Sequence, residues 1–190
     1  MSVTESIIDG QNVINGVDVT ALSETLEAVG AKPELAQFQF RNANKWIGGS
    51  LNRSTIKGFY GAGQEDTTRT TAYEFYADEP SVLLGEDQGA NPVEYLLHAL
   101  ASCMTTTIVY HAATRGIRID ALESNIEGDI DIRGFTGIAS DVPKGYREIR
   151  VNFQVKTDGD ANELKELAHM SPVFNSIRGS VPVVVNVETY

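Results

Sequence analysis

One long helical segment in the middle of the chain constrains the fold more than any other feature of the sequence. Asn91 can cap its start, Pro92 suits the first helical position, and Glu94 completes an N-x-x-E capping box. Gly116 follows the last turn as a C-terminal stop. At about 1.5 Å per residue, the predicted helix over residues 92–115 is roughly 36 Å long. Because most of it is apolar, we expect a core helix that is wrapped by sheet.

Several other segments have the composition or the period-2 alternation that is typical of β-strands. Residues 125–133 and 148–156 alternate most clearly, and the period places each apolar set on one buried face. Earlier runs at 54–60 and 69–77 also predict strands, and the glycines between these two runs suggest a hairpin. The sequence therefore predicts at least two pairs of strands, one before the central helix along the chain and one after it.

The C-terminal third adds two helices and a last strand. Asp160 is a capping residue for a helix through about residue 169, and Ser171 followed by Pro172 starts a short second helix. Residues 181–187 form the last predicted strand. Runs of strands that are broken by one long helix and a late helix pair indicate an α+β architecture, not alternating β-α units.

The first 35 residues predict an N-terminal arm that is partly helical. Its helical spacing is carried by Val19, Leu22, Leu26 and Val29, and Gly30 follows as a stop. We therefore divide the chain into an arm, residues 1–35, and one main domain, residues 36–190. The arm could pack on the domain or on a partner subunit.

The composition excludes several classes of function. The net charge of −11, from 26 acidic and 15 basic residues, argues against a nucleic-acid surface and against binding to anionic membranes. One cysteine excludes a disulfide framework and a multi-cysteine metal site. The three histidines, His98, His111 and His169, lack the spacing of metal ligands, so we expect neither a metal nor a cofactor.

The start of the sequence shows no basic region followed by an apolar one, as a signal peptide would require. No apolar run has the length needed to cross a bilayer. These observations predict a cytoplasmic protein, in a compartment where a free thiol stays reduced.

The one cysteine, Cys103, lies inside the predicted central helix. On a helical wheel, at about 100° per residue, it falls roughly opposite Glu94 and beside Leu96, Ala99, Leu100, Thr107 and Tyr110. Two readings stay open from the residues alone: an inert thiol that fills an apolar face, or a reactive nucleophile. The second reading needs a stabilising cation from another segment, and the arginines that precede the helix are Arg41, Arg53 and Arg69.

Three groups of residues together resemble a known family. They are Asp78-Glu79-Pro80 with Leu84-Gly85-Glu86-Asp87; Asn91-Pro92-x-Glu94-x-Leu96-Leu97-x-Ala99-Leu100-Ala101-Ser102-Cys103; and Ser171-Pro172-Val173. The combination resembles the superfamily of osmotically inducible protein C (OsmC) and organic hydroperoxide resistance (Ohr) proteins. The similarity covers about residues 38–188 and is most specific in the block 78–103.

The resemblance implies an OsmC-like α+β fold, in which a long central helix packs against curved antiparallel sheets. It also implies an intertwined homodimer with its sites at the subunit interface. In active members, a thiolate on the central helix attacks an organic hydroperoxide, and a second cysteine before a proline resolves the sulfenic acid. An arginine and a glutamate support the thiolate, and external dithiols such as lipoyl groups reduce the disulfide.

Carried over residue by residue, the resemblance assigns Cys103 to the attacking position. The resolving position holds Ser171, and a serine cannot form the disulfide. The glutamate of the peroxidases directly follows the Asn-Pro pair, where this chain has Val93. Glu94 comes one step later, which turns its side chain by about 100°. Glu94 is therefore kept as a candidate catalytic residue beside Cys103, at a position that does not match the glutamate of the peroxidases.

The predicted function is therefore a thiol-dependent organic hydroperoxide reductase of oxidative-stress defence that works weakly or with one cysteine. An external dithiol would be its reductant. The alternative is a non-peroxidase dimer that binds a small apolar or electrophilic molecule. A third reading leaves Cys103 as core packing alone.

Overall fold

Strands and helices follow one another along residues 12–190, the part of the chain that the structure, a computed structural model, describes. The strands are β1 Val13–Ile14, β2 Val17–Asp18, β3 Ala43–Gly48, β4 Leu51–Ile56, β5 Phe59–Gly61, β6 Gln64–Asp66, β7 Tyr73–Ala77, β8 Ile119–Ile130, β9 Tyr146–Thr157 and β10 Val183–Thr189. The helices are α1 Val19–Ala31, α2 Pro92–Thr114, α3 Ile132–Phe135, α4 Ala161–Ala168 and α5 Pro172–Ile177. The described chain divides into unit 1, residues 12–22 and 97–190, and unit 2, residues 23–96.

Unit 1 is built on a three-stranded sheet in the order β10-β9-β8. The central strand β9 turns every second side chain into the core, as the alternation predicts. The part of α2 that belongs to unit 1, together with α4 and α5, covers this face. The buried cluster includes Leu100, Met104, Ile108, Ile149, Val151, Phe153, Val155, Leu164, Leu167 and Phe174. The prediction of a core helix packed on sheet in an α+β fold is confirmed.

The pairing of β10 differs from the expected antiparallel sheets. β8 and β9 are antiparallel, but β10 runs parallel to β9, with Val185 opposite Val151. A parallel neighbour needs a crossover segment, and α4 and α5 supply it by returning the chain to the start of β9. The predicted late helix pair is therefore the connection that makes this parallel pairing possible.

Unit 2 contains a three-stranded antiparallel sheet in the order β3-β4-β7 and a separate hairpin of β5 and β6. The prediction of one strand over 54–60 is wrong, because β4 ends at Ile56 and β5 begins at Phe59. Ala62 and Gly63 turn the hairpin with positive φ angles of 50° and 80°. The two predicted runs do pair, as β4 with β7, although the second run is a strand only from Tyr73 onwards. The short hairpin of β5 and β6, inserted between them, was not predicted.

The Asn15 side chain forms hydrogen bonds with the backbone at the start of β8. Asn15 donates from Nδ2 to the Ile117 carbonyl at 2.9 Å, and its Oδ1 accepts the Ile119 N–H at 2.8 Å. The predicted helix of the arm is confirmed as α1, which ends one residue past Gly30. Residues 1–11 of the predicted arm lie outside the described residues, and the boundary at residue 35 stays a prediction. Within residues 12–190, no helix combines the length and the hydropathy required to cross a membrane.

Candidate functional site

The start of α2 has the predicted capping box. The Asn91 side chain accepts the Val93 N–H at 3.0 Å, and the Glu94 carboxylate accepts the Asn91 N–H at 2.9 Å. The exchange satisfies two backbone donors that a helix start leaves free, and it places a negative charge at the positive end of the helix dipole. The structure therefore shows Glu94 engaged at the helix start, and its support of the thiolate stays a prediction.

The loop before α2 is organised around the buried carboxylate of Asp78, which is 2% exposed. It accepts the Ser50 hydroxyl at 2.5 Å and the backbone N–H groups of Glu79, Glu86 and Gln88 at 2.8, 3.2 and 3.2 Å. The hydrogen bond from Ser50 is the largest of the causes that lower the pKa of Asp78, and those from the backbone add to it. Asp78 is therefore ionised at neutral pH.

Two glycines in this loop sit where no side chain fits. A Cβ on Gly85 would lie 1.8 Å from the Glu79 carbonyl oxygen, and one on Gly89 would lie 2.2 Å from the Tyr76 carbonyl oxygen. Leu84, next to Gly85, adopts a left-handed φ of 66°. The loop is therefore close-packed backbone against backbone. It continues into the helix through the Asn91 amide, which donates to Glu79 Oε2 at 2.6 Å.

Cys103 lies at the edge of the buried face of α2, as the helical wheel predicts. Its neighbours one turn away, Leu100 and Thr107, are buried, whereas Cys103 itself is half-buried. The Thr107 hydroxyl donates to the Cys103 carbonyl at 2.7 Å. Within the described residues, the sulfur has no hydrogen-bond partner. Cys103 is thus neither sealed in the core nor fully exposed.

Ser171 is fully buried and caps α5, where its Oγ accepts the Phe174 N–H at 3.3 Å. The cap and Pro172 at the first helical position confirm the predicted helix start. Phe174 of α5 and Leu100 of α2 belong to the same buried cluster. The helices that carry Cys103 and Ser171 therefore pack on one core within unit 1.

The three candidate arginines all lie in unit 2 and are engaged there. Arg41 binds Glu65 through two nitrogens, each 2.8 Å from a carboxylate oxygen. Arg53 lies 3.4 Å from Glu74. Arg69 stacks over two aromatic rings, with its guanidinium carbon 5.2 and 5.5 Å from their centroids. Of the three arginines, Arg41 forms the strongest ion pair, because Glu65 accepts two parallel hydrogen bonds from it.

The titratable side chains of the described residues do not converge on a metal site. Among residues 12–190, no group of three or more His, Cys, Asp or Glu side chains could hold a metal ion. His111 lies in the last turns of α2, where burial and, to a smaller extent, Arg115 lower its pKa. The His111 imidazole is therefore mostly uncharged at neutral pH.

Sequence reasoning missed the structural role of Asp78 and its partner Ser50. The motif that carries the family resemblance contains Asp78 and Gly85, so a signal was present. The local sequence pattern does not reveal which groups donate hydrogen bonds to Asp78. These donors come from the turn between β3 and β4 and from the loop itself. Ser50 is 28 residues away along the chain.

Comparisons with known proteins agree with this geometry. A family model described as OsmC-like protein matches residues 85–186. An OsmC-like protein from Mycoplasma pneumoniae superposes with a TM-score of 0.61 at 20% identity, covering 80% of this chain and 96% of that one. Organic hydroperoxide resistance proteins from Legionella pneumophila and Elizabethkingia anophelis each give a TM-score of 0.54 at 19% identity. They cover 78% and 80% of this chain, and 97% of each of theirs. No curated protein sequence matches the chain significantly.

Proposed function

Because the chain belongs to the OsmC-like protein family, we propose that it is a thiol-dependent reductase of organic hydroperoxides that acts in oxidative-stress defence. The observation that carries the proposal is the half-buried thiol of Cys103 on α2, inside the segment that matches the family. The names of two proteins with a similar fold, both organic hydroperoxide resistance proteins, support the class of substrate.

In the proposed reaction, the Cys103 thiolate attacks one oxygen of the hydroperoxide. An S–O bond forms, the O–O bond breaks, and the leaving alkoxide takes a proton to become an alcohol. Cys103 is left as a sulfenic acid. Because Ser171 cannot attack it, one thiol of an external dithiol displaces water from the sulfenic sulfur. The second thiol of that reductant then releases Cys103 and closes the reductant's own disulfide.

We also propose that the protein is a homodimer in the cytoplasm. Unit 2 exposes several large apolar side chains, among them Phe38, Phe40, Trp46 and Phe75. An exposed apolar surface of this kind is a common mark of an interface, and a second copy would cover it. A reducing compartment suits a chain whose one cysteine must return to the thiol after each turnover.

Treating the reduced protein with cumene hydroperoxide is expected to add one or two oxygen atoms at Cys103, because an accessible thiolate is oxidised to sulfenic and then sulfinic acid. Mass spectrometry of the intact protein and of its peptides measures the gain. Cys103→Ser is the control and should gain nothing. If the native thiol neither oxidises nor reacts with iodoacetamide, Cys103 is a packing residue and the reductase proposal fails.

Ser171→Cys is expected to give an intramolecular disulfide with Cys103 after one equivalent of hydroperoxide. Peptide mapping would detect the linked pair, and the protein would lose two hydrogen atoms. Ser171→Ala is the matched control, because it removes the same cap, which typically costs about 1 kcal/mol, but cannot form a disulfide. A variant that folds yet accumulates only sulfenic acid would show that position 171 does not correspond to the resolving position.

A further inference from the structure

Unit 2 contains a cleft that the proposed reaction does not use. It lies between the turn that joins β3 to β4 and the loop organised by Asp78, and its volume is about 330 Å³. Its lining combines apolar side chains with two carboxylates. The residues that matter for its chemistry are Ile47, Leu51, Leu84, Ser50, Asp78 and Glu86.

The charge of this cleft is negative. No Lys, Arg or His contributes to its walls, whereas Asp78 and Glu86 both do. The four groups that donate to Asp78 are a hydroxyl and three backbone N–H groups, all of them neutral. Among the described residues, no basic side chain lies within ion-pair distance of Asp78 or Glu86. A buried carboxylate without a counter-charge is uncommon, and its field favours a cation in the cleft.

The two carboxylates play different parts. Asp78 accepts two donors on each oxygen, so its four acceptor positions are filled and it cannot ligate a metal ion. Glu86 accepts one side-chain donor, the Gln88 amide at 2.5 Å, and has acceptor positions left. A ligand that donates hydrogen bonds to Glu86 and feels the charge of Asp78 therefore fits better than a bare ion.

The apolar side chains of the cleft favour a ligand that has a hydrocarbon part as well as a positive charge. Leu84 is 95% exposed and Ile47 is 48% exposed, so both present hydrocarbon to anything that enters. The crowded backbone at Gly85 fixes the loop that carries Leu84 and Glu86. A cleft that is already formed loses little entropy when it binds a ligand.

We propose that this cleft binds a small organic cation, with a primary ammonium group at Glu86, in the field of Asp78, and an alkyl body against Ile47, Leu51 and Leu84. None of the residues that line the cleft takes part in the proposed hydroperoxide chemistry, so the two proposals can be tested separately. Its volume is at the small end of ligand pockets, which suits a chain of a few carbon atoms.

The test uses three probes with the same alkyl chain: hexylammonium chloride, hexan-1-ol and sodium hexanoate. Isothermal titration calorimetry of the full chain at low ionic strength is expected to show saturable binding of one hexylammonium per chain. Hexanol should bind at least about tenfold more weakly, and hexanoate should not bind. This order follows from adding, removing and reversing the charge while the apolar contact stays the same.

Two variants of the cleft and one matched control locate the site. Glu86→Gln is expected to weaken hexylammonium binding at least about threefold, a typical value for an exposed charge pair. Leu84→Ser should also weaken binding, because it removes the most exposed apolar wall. Glu123→Gln, on β8 in unit 1, removes the same charge elsewhere and should leave binding unchanged.

Three results would overturn the proposal. The first is the absence of saturable hexylammonium binding, and the second is equal affinity for hexanol and hexylammonium. The third is equal weakening by Glu86→Gln and Glu123→Gln, which would show attraction to the net negative charge of the whole chain. Circular dichroism of each variant ensures that the comparison is made between folded proteins.

Discussion

Replacing Phe153 by alanine is expected to lower the free energy of unfolding by about 3–5 kcal/mol, the usual range for a buried phenylalanine. The side chain is 1% exposed and lies on the central strand β9, within the cluster that also contains Leu100 and Leu164. Its removal leaves a cavity between the sheet and the helices that cover it. The neighbouring strands on both sides limit how far β9 can move to fill that space.

Gln154→Ala is the matched control, because position 154 is the next residue of the same strand and faces solvent. Removing the Gln154 side chain should change the free energy of unfolding by less than about 1 kcal/mol. Urea denaturation of both variants measures the difference. A Phe153→Ala protein as stable as the control would mean that β9 does not form the centre of the unit 1 core.

Gly85→Ala is expected to destabilise the protein by at least about 2 kcal/mol, because overpacking against backbone cannot be relieved by a side-chain rotation. The added methyl group would lie 1.8 Å from the Glu79 carbonyl oxygen. To accommodate it, the loop has to move away from Asp78. The hydrogen bonds from the Glu86 and Gln88 N–H groups to that carboxylate would then break.

Thermal denaturation and hydrogen exchange of the Glu86 and Gln88 amides measure this change. Gly145→Ala is the control, because a Cβ at position 145 meets no atom within 4 Å. It should leave both the melting temperature and the two exchange rates almost unchanged. Slow exchange at Glu86 in Gly85→Ala would contradict the arrangement of the loop around Asp78.

The central helix could be predicted closely because its limits are local signals. The sequence predicts residues 92–115, and α2 spans Pro92–Thr114. Asn91 and Glu94 act on backbone groups within one turn, so their effect is readable from spacing alone. The same holds for Asp160, whose side chain accepts the N–H groups of Asn162 and Glu163 at the start of α4.

Features that depend on distant partners could not be predicted in the same way. The parallel pairing of β9 and β10 depends on how α4 and α5 cross over the sheet, and strand periodicity is the same in either direction. By contrast, the turn between β1 and β2 had a readable signal. Asn15 and Gly16 form the Asn-Gly pair that favours such a turn, with φ angles of 53° and 77°.

The candidate site was predictable only in part. The helical wheel places Cys103 beside Leu100 and Thr107, and both neighbours are buried. The full burial of Ser171 follows from the packing of α5 and has no counterpart in the local pattern, which indicates a cap and nothing more. Asp78 was recognisable as part of a motif, but its donors become neighbours only after the chain has folded.

β10 covers one edge of β9, and this has a consequence for shortened forms of the protein. Val185 on β10 is buried in the core against β9. A variant without residues 183–189 would leave that edge of β9 without a partner, and unpaired strand edges recruit other chains. Such a variant should aggregate more readily than the intact protein.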